Sequence, residues 1–227
     1  MTLQEFFEQF NITIKDENLL KQAFIHSSFV NENKHLDLED NERLELLGDA
    51  VLQLWTANFL FHQEPKISEG DMTLLRAQLV NEKALASFAR ELKLQQFLKL
   101  GVGEMKNGGL ERNSILADSF EAMIGALYLD QGKKSIQKIC NEVIAKRFEA
   151  LDRDDIMDYK TKLQEFVQSD VRKTVEYQIV SSSGPANNPV FEAIVKLDEL
   201  ILGKGKGTSK KRAEQQAAKD ALNKLVK

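Results

Sequence analysis

Apolar residues recur at three- and four-residue spacing in five stretches of the first 151 residues: Leu19–Phe29, Glu42–Phe61, Met72–Leu92, Ile115–Asp130 and Ser135–Leu151. That spacing lays an apolar stripe along one side of a helix, so each stretch is predicted helical. Asp40 or Asn41 is placed to cap the second stretch. Ser68, with Asp71 three residues on, forms a loose capping box before the third. Leu100–Gly109 (LGVGEMKNGG) is rich in glycine and reads as a loop. The pattern shows no repeat period and no low-complexity tract.

The period then changes. Tyr159–Ser169 is a short amphipathic helix, and Thr174–Val180 and Val190–Leu197 read as strands. In the second strand Phe191, Ala193, Val195 and Leu197 alternate with Glu192, Ile194 and Lys196, which puts the two sets on opposite faces. SSSGPANNP between the strands collects turn-forming residues. A third strand, Glu199–Leu202, runs into GKGKGTSKK, and a helix over Lys210–Val226 ends the chain. The expected organisation is a mostly α unit over 1–151 followed by an α+β unit over 158–227, ordered α-β-β-β-α. The polar, acid-rich LDRDDIMD supplies a linker over 152–157.

Charge sharpens this division. The 227 residues carry a formal net charge of −4, which by itself argues against a nucleic-acid partner. Residues 158–227 hold 13 Lys and Arg against 9 Asp and Glu, a balance of +4, whereas the first 157 hold 18 against 26, a balance of −8. Halves of opposite sign face different partners. Apolar runs such as Ala122–Leu129 fall far short of the ~18 residues a membrane span needs. MTLQEFFEQF carries acids and no basic stretch, unlike a secretory signal. Cys140 stands alone, which excludes an internal disulfide and points to a reducing cytoplasm.

The chemistry concentrates in NERLELLGDAVLQLW (Asn41–Trp55). On a helix turning 100° per residue, Glu42, Glu45 and Asp49 fall at about 0°, −60° and −20°, on one face. Leu44, Leu47, Val51 and Leu54 take up much of the opposite side. Crowded carboxylates beside apolar neighbours repel one another and resist desolvation, so a compensating partner is required. The plain alternative is a solvated face with Arg43 nearby. In SILADSFEAMIGALYLD a second pair, Asp118 and Glu121, shares a face of an otherwise apolar helix. Two unpaired carboxylates do not belong in the middle of a buried helix, although Asp118 could cap one. Packed face to face, the two helices would gather four carboxylates. Hard oxygen donors without His or Cys suit Mg²⁺ or Mn²⁺ and argue against zinc.

NERLELLGDAVL (Asn41–Leu52) closely resembles the signature of the ribonuclease III family, and SILADSFEAMIGALYLDQG (Ser114–Gly132) resembles its second acidic motif. FIHSSFVNE (Phe24–Glu32) and EGDMTLLRAQLV (Glu69–Val80) resemble further segments of that family, in the expected order. The resemblance covers essentially the whole chain. It implies a helical endonuclease domain that cleaves double-stranded RNA with Mg²⁺, for which Mn²⁺ can substitute. Glu45, Asp49, Asp118 and Glu121 would be the catalytic, metal-binding carboxylates, with Glu121 and Asp49 the most sensitive. Glu42 and Glu69 match acidic positions of the same valley with a secondary role, against the alternative of solvated surface. The resemblance further implies a homodimer through this domain, each subunit cutting one strand to leave 5′-phosphates, 3′-hydroxyls and short 3′ overhangs. Expected targets are precursor ribosomal RNA and structured messenger RNA. Leu46 departs from the Phe of many relatives at a position linked with dimer packing, keeping the contact apolar but smaller.

The second segment resembles a double-stranded-RNA-binding domain, which recognises A-form shape across successive minor grooves and the phosphates between them. Thr161, Gln164 and Glu165 match its first-helix minor-groove positions. The turn Gly184–Pro189, with Gly184, Pro185 and Asn187, matches the loop that enters the next minor groove. Asn187 stands where many relatives have His, so it keeps a hydrogen-bonding group that cannot become cationic. Lys204, Lys206, Lys210, Lys211 and Arg212 put five positive charges within nine residues, and Lys210 and Lys211 open the last helix, where phosphates are met. Ala213, Ala217 and Ala218 read as core positions that let this helix lie close on the sheet.

His26, His35 and His62 are scattered, and His26, in a family-like segment, reads as structural. GVGEMKNGG lacks the Lys-Ser/Thr of a phosphate-binding loop. Against the endonuclease stands a non-catalytic double-stranded-RNA binder of the same fold. The acidic quartet separates the two, because an acidic valley opposes RNA unless cations neutralise it.

Overall fold

The most apolar stretch of the first segment becomes its spine. The computed structural model describes residues 1–64, 66–151, 158–171, 174–185 and 187–225. The chain divides into two units, Met1–Leu151 and Asp152–Lys227. The expected linker, 152–157, and the last two residues lie outside the described residues. No helix among the described residues is long and apolar enough to cross a membrane.

The first unit is helical: α1 (Leu3–Glu8), α2 (Glu17–Gln22), α3 (Ser27–Glu32), α4 (Glu42–Phe61), α5 (Glu69–Leu79), α6 (Glu82–Glu91), α7 (Val102–Lys106), α8 (Asn113–Gln131), α9 (Lys133–Cys140) and α10 (Lys146–Ala150). α8 runs through the middle, packed chiefly on α4 and α6. Leu116, Phe120, Met123, Ile124 and Leu127 are fully buried there, as an all-round apolar helix requires. The side of α4 that meets the core carries Leu44, Gly48, Leu52, Trp55, Thr56 and Leu60. Leu54, expected on that side, is 71% exposed, and Leu46 and Phe61 are 76% and 70% exposed.

Several boundaries differ from the pattern, each for a tertiary reason. Leu19–Phe29 is two helices, because Phe24 O accepts from Lys99 N at 2.8 Å and His26 N donates to Lys99 O at 3.1 Å, drawing Ile25 into an isolated bridge. Met72–Leu92 breaks after Leu79, and the Asn81 side chain caps α6 by accepting from Ala84 N at 2.9 Å. The apolar period continues in phase across that break, so spacing alone cannot reveal it. The expected loop at Leu100–Gly109 contains α7, whose first amides donate to Glu32 Oε2 (Val102, 2.7 Å) and Oε1 (Gly103, 3.2 Å). α1, closed by a Thr2–Glu5 capping box, is too short to have shown a period. Ser135–Leu151 stays helical, with a π-turn at Asn141–Ala145 between α9 and α10.

The second unit comprises α11 (Tyr159–Val171), β1 (Glu176–Ser183), β2 (Val190–Leu197), β3 (Leu200–Gly207) and α12 (Lys210–Leu225). The strands form an antiparallel sheet in the order β1-β2-β3. Leu163 and Val167 of α11, Ala193 and Val195 of β2, and Ala213, Ala217, Ala218 and Ala221 of α12 make its core. β3 is longer than its β-branched residues suggested, and the three glycines of GKGKG are the cause. A Cβ at Gly203 would sit 2.3 Å from Ala217 O, one at Gly205 2.2 Å from Ala217 N, and one at Gly207 2.6 Å from Ala213 N. Only a strand without side chains on that face admits α12 so closely.

Candidate active site and RNA interface

α4 and α8 cross with their backbones nearly touching, because each offers a glycine to the other. A Cβ on Gly48 would lie 1.8 Å from Glu121 O, and one on Gly125 2.2 Å from Leu44 O. The carboxylates flank this contact. Between Ile115 and Leu127 every residue of α8 is buried except Asp118 and Glu121. Opposite them, Glu45 and Asp49 stand half-buried on α4. Glu45, Asp118 and Glu121 each bring one carboxylate oxygen to within 4.8 Å of the others. Asp118 caps nothing, since α8 begins at Asn113.

Burial first, and then mutual repulsion, marks the cluster. Glu121 is pushed up to about 8, first by burial and then by Asp49, Asp118 and Glu45. Glu45 is raised by burial and by the charges of Asp118, Glu42 and Asp49. Asp118 is also raised, chiefly by burial, with His26 drawing it back and Glu82 adding to the rise. Asp49 lies outside the tight trio but acts on two of its members, and its Oδ1 accepts from Gln53 Nε2 at 3.2 Å. Glu42 is exposed at the margin beside Glu45. Glu69 is not brought into the cluster within one chain. It is exposed on α5, accepts from the Thr73 hydroxyl at 3.1 Å and borders a small cavity with Ala57 and Arg76. Ala57 stands eight residues beyond Asp49 on α4, roughly 12 Å along the axis.

The donors are all carboxylate oxygens, the set that hard divalent cations prefer, and a cation would relieve the repulsion that raises Glu121. The residues present therefore fit a metal ion. Sequence spacing did not disclose His26 and Glu82 as neighbours of Asp118, because they arrive on separate elements. His26 caps α3, with Nδ1 taking the Ser28 amide at 3.2 Å. At the start of α4, Asn41 turns inward to donate to Ala23 O at 3.2 Å, and Asp40 instead accepts from Glu42 N at 3.2 Å.

In the second unit, Thr161 and Glu165 are exposed on α11. Gln164 is half-buried, and its Oε1 accepts from Val175 N at 3.1 Å at the start of β1. Gly184, Pro185 and Asn187 lie exposed in the β1–β2 turn, where Gly184 has a φ of 91° that only glycine adopts at low cost. Ser209 caps α12, its Oγ accepting from Arg212 N at 3.2 Å, and the exposed Lys210 and Lys211 form the first turn. Cations there oppose the helix dipole, an arrangement that an incoming phosphate relieves. Lys204 and Lys206 are placed differently. The glycines of β3 face α12, so these lysines project from the other side of the sheet, where Lys206 pairs with Glu192.

Residues 16–148 match the family model described as Ribonuclease-III-like, and residues 159–225 match the double-stranded RNA binding motif. The chain belongs to the ribonuclease III family. It is 49% identical over 218 residues to Ribonuclease 3 of Streptococcus gordonii, covering 96% of this chain and 94% of that one. To Ribonuclease 3 of Bacillus cereus it is 50% identical over 220 residues, covering 97% and 90%. Its fold is similar to a crystal structure of the nuclease domain of ribonuclease III from Campylobacter jejuni, with a TM-score of 0.58 and 44% identity over 67% of this chain and 100% of that domain. A second structure of that domain, at 42% identity and a TM-score of 0.58 over 65% of this chain and 99% of that one, is described by flexibility in a region involved in dimer formation. As a ribonuclease III with its RNA-binding motif, the chain is a double-stranded-RNA endoribonuclease, and the non-catalytic alternative falls away.

Proposed function

We propose that Glu45, Asp49, Asp118 and Glu121 carry the cleavage, holding Mg²⁺, or Mn²⁺ in its place, against the scissile phosphate. The supporting observation is that the two residues of α8 left unburied between Ile115 and Leu127 are carboxylates facing two more across a glycine contact. Bound divalent ions would supply an activated water and stabilise the leaving oxygen. The protein's part is to hold four acceptors in one place that water alone cannot neutralise. Glu42 adds charge at the margin, and Glu69, outside the trio within one chain, keeps a secondary role as an acidic group of the same valley. The products expected are 5′-phosphates and 3′-hydroxyls on short 3′ overhangs.

Two such sites are needed to cut both strands, and an exposed apolar stripe supports a homodimer. Leu46, Leu54 and Phe61 fall within about 80° of arc on α4. A stripe of this kind on a soluble surface marks an interface. The second unit presents Thr161, Gln164 and Glu165, the turn of Gly184, Pro185 and Asn187, and Lys210 and Lys211 to the duplex. Lys204 and Lys206 add to the attracting field from the opposite sheet face. We place the enzyme in the cytoplasm, acting on precursor ribosomal RNA and structured messenger RNA.

The test is cleavage of a long RNA duplex. The unaltered chain cuts it with Mg²⁺ and not with chelator, whereas Glu121→Gln binds it and leaves it intact. Absence of metal-dependent cleavage by the unaltered chain overturns the assignment.

A further inference from the structure

Thr161 and the two leading lysines of α12 sit on different helices, and the Gln215 side chain bridges the two. Gln215 Oε1 accepts from Lys160 N at 3.1 Å, and its Nε2 donates to Asp158 Oδ1 at 3.1 Å. Asp158 in turn caps α11, accepting from Thr161 N at 3.1 Å on Oδ1 and from the Thr161 hydroxyl at 2.7 Å on Oδ2. Beside this bridge Lys160 Nζ meets Glu214 Oε2 at 2.7 Å and stands 4.4 Å from the centre of the Tyr177 ring. Glu214 and Gln215 follow Lys210 and Lys211 by one helical turn, directly beneath the basic end of α12. A carboxamide donates and accepts at once, so it can grip a backbone amide and a carboxylate together.

The spacing so held has a use. A duplex-shaped interface must meet a minor groove with one element and phosphates across the adjacent groove with another. Groove widths differ between A-form and B-form helices, so a fixed separation between those elements discriminates between them. We propose that Gln215 is a positioning residue that sets the distance between the Thr161 end of α11 and the lysine-bearing turn of α12, favouring RNA duplexes over DNA duplexes. The inference rests on the reading of the second unit as the RNA-contacting one. Gln215 itself is half-buried, with both ends of its amide engaged by protein.

The experiment compares the full chain with its Gln215→Met variant in chelator, so that nothing is cut. Binding to a 20-base-pair RNA duplex and to DNA of the same sequence is measured across a salt series. Gln215→Met should weaken RNA binding about five- to tenfold, the loss expected for one anchoring hydrogen-bond bridge. DNA binding should hold, and its slope of log affinity against log salt should stay unchanged because Gln215 itself, with both ends of its amide on protein groups, meets no phosphate. Gln215→Glu keeps the acceptor for Lys160 N, loses the donor to Asp158 and should lower the RNA preference in the same direction. That second variant carries the test if Gln215→Met does not fold. An unchanged ratio of RNA to DNA affinity overturns the proposal, as does a parallel loss on both duplexes with a shallower salt slope, which would make Gln215 a phosphate contact. If the unaltered chain shows no preference for RNA, the assignment of the unit fails instead.

Discussion

Replacing Glu121 by Gln removes the charge that this enzyme holds at greatest cost, and the consequence is measurable without RNA. In the metal-free protein the Glu121 carboxyl is shifted from 4.5 to about 8, so the folded chain keeps its proton more tightly than the unfolded chain does. Stability from this group is therefore full below 4.5, falls as pH rises from there to 8, and is flat above. Such a shift on a fully buried group would correspond to about 5 kcal/mol. Glu121 is only half-buried, and solvent screening brings the figure to about 2 kcal/mol. For a unit of this size that is a change of roughly 4–8 °C in melting temperature. Trp55 is the chain's one tryptophan, 7% exposed in the core side of α4, and its fluorescence follows unfolding of the first unit alone. In chelator, Glu121→Gln should melt near the unaltered protein at pH 4.5 and above it by that margin at pH 8.5. Saturating Mg²⁺ should close the gap by stabilising the unaltered protein more. Equal differences between the two proteins at both pH values, with no metal effect, would refute the reasoning.

Three other expectations can be checked directly. Gly125→Ala drives a methyl group into Leu44 O and should cost about 1–3 kcal/mol in the Trp55 melt, while raising the Mg²⁺ needed for half-maximal cleavage. Leu46→Asp with Leu54→Asp should give a folded monomer by sedimentation; a dimer of unchanged strength would remove α4 from the interface. Lys210→Ala and Lys211→Ala should each make the salt dependence of RNA binding shallower by about one, whereas Lys206→Ala, on the far side of the sheet, should change it less.

How much of this was readable from spacing depends on whether the signal is local. The α4 and α8 spans were legible because a 3.6-residue period extends over many turns and reports which face is buried. That same continuity concealed the breaks at Ala23–His26 and Val80–Asn81, where partners distant in sequence, Lys99 above all, interrupt the helix. GKGKG reads locally as a strand ending because glycine is rare in strands, and its fitness for β3 is evident only against α12. Lys204 and Lys206 are close to Lys210 and Lys211 along the chain, yet β3 turns them to the sheet face opposite α12. Proximity along the chain does not say that a strand turns its alternate residues away from the helix that follows.

By itself the amino-acid sequence determined the two-unit organisation, the helices that carry the acids, and the family, since these rest on residue types at short, regular intervals. Only the tertiary structure decided that Gly48 and Gly125 bring those helices into backbone contact, that Glu69 lies away from the trio within one chain, and that Gln215 ties α11 to α12. The physical reason is the range of the forces involved. Periodicity records burial, which each residue expresses alone, whereas charge repulsion, hydrogen-bond bridges and helix spacing exist only between groups that folding has brought together.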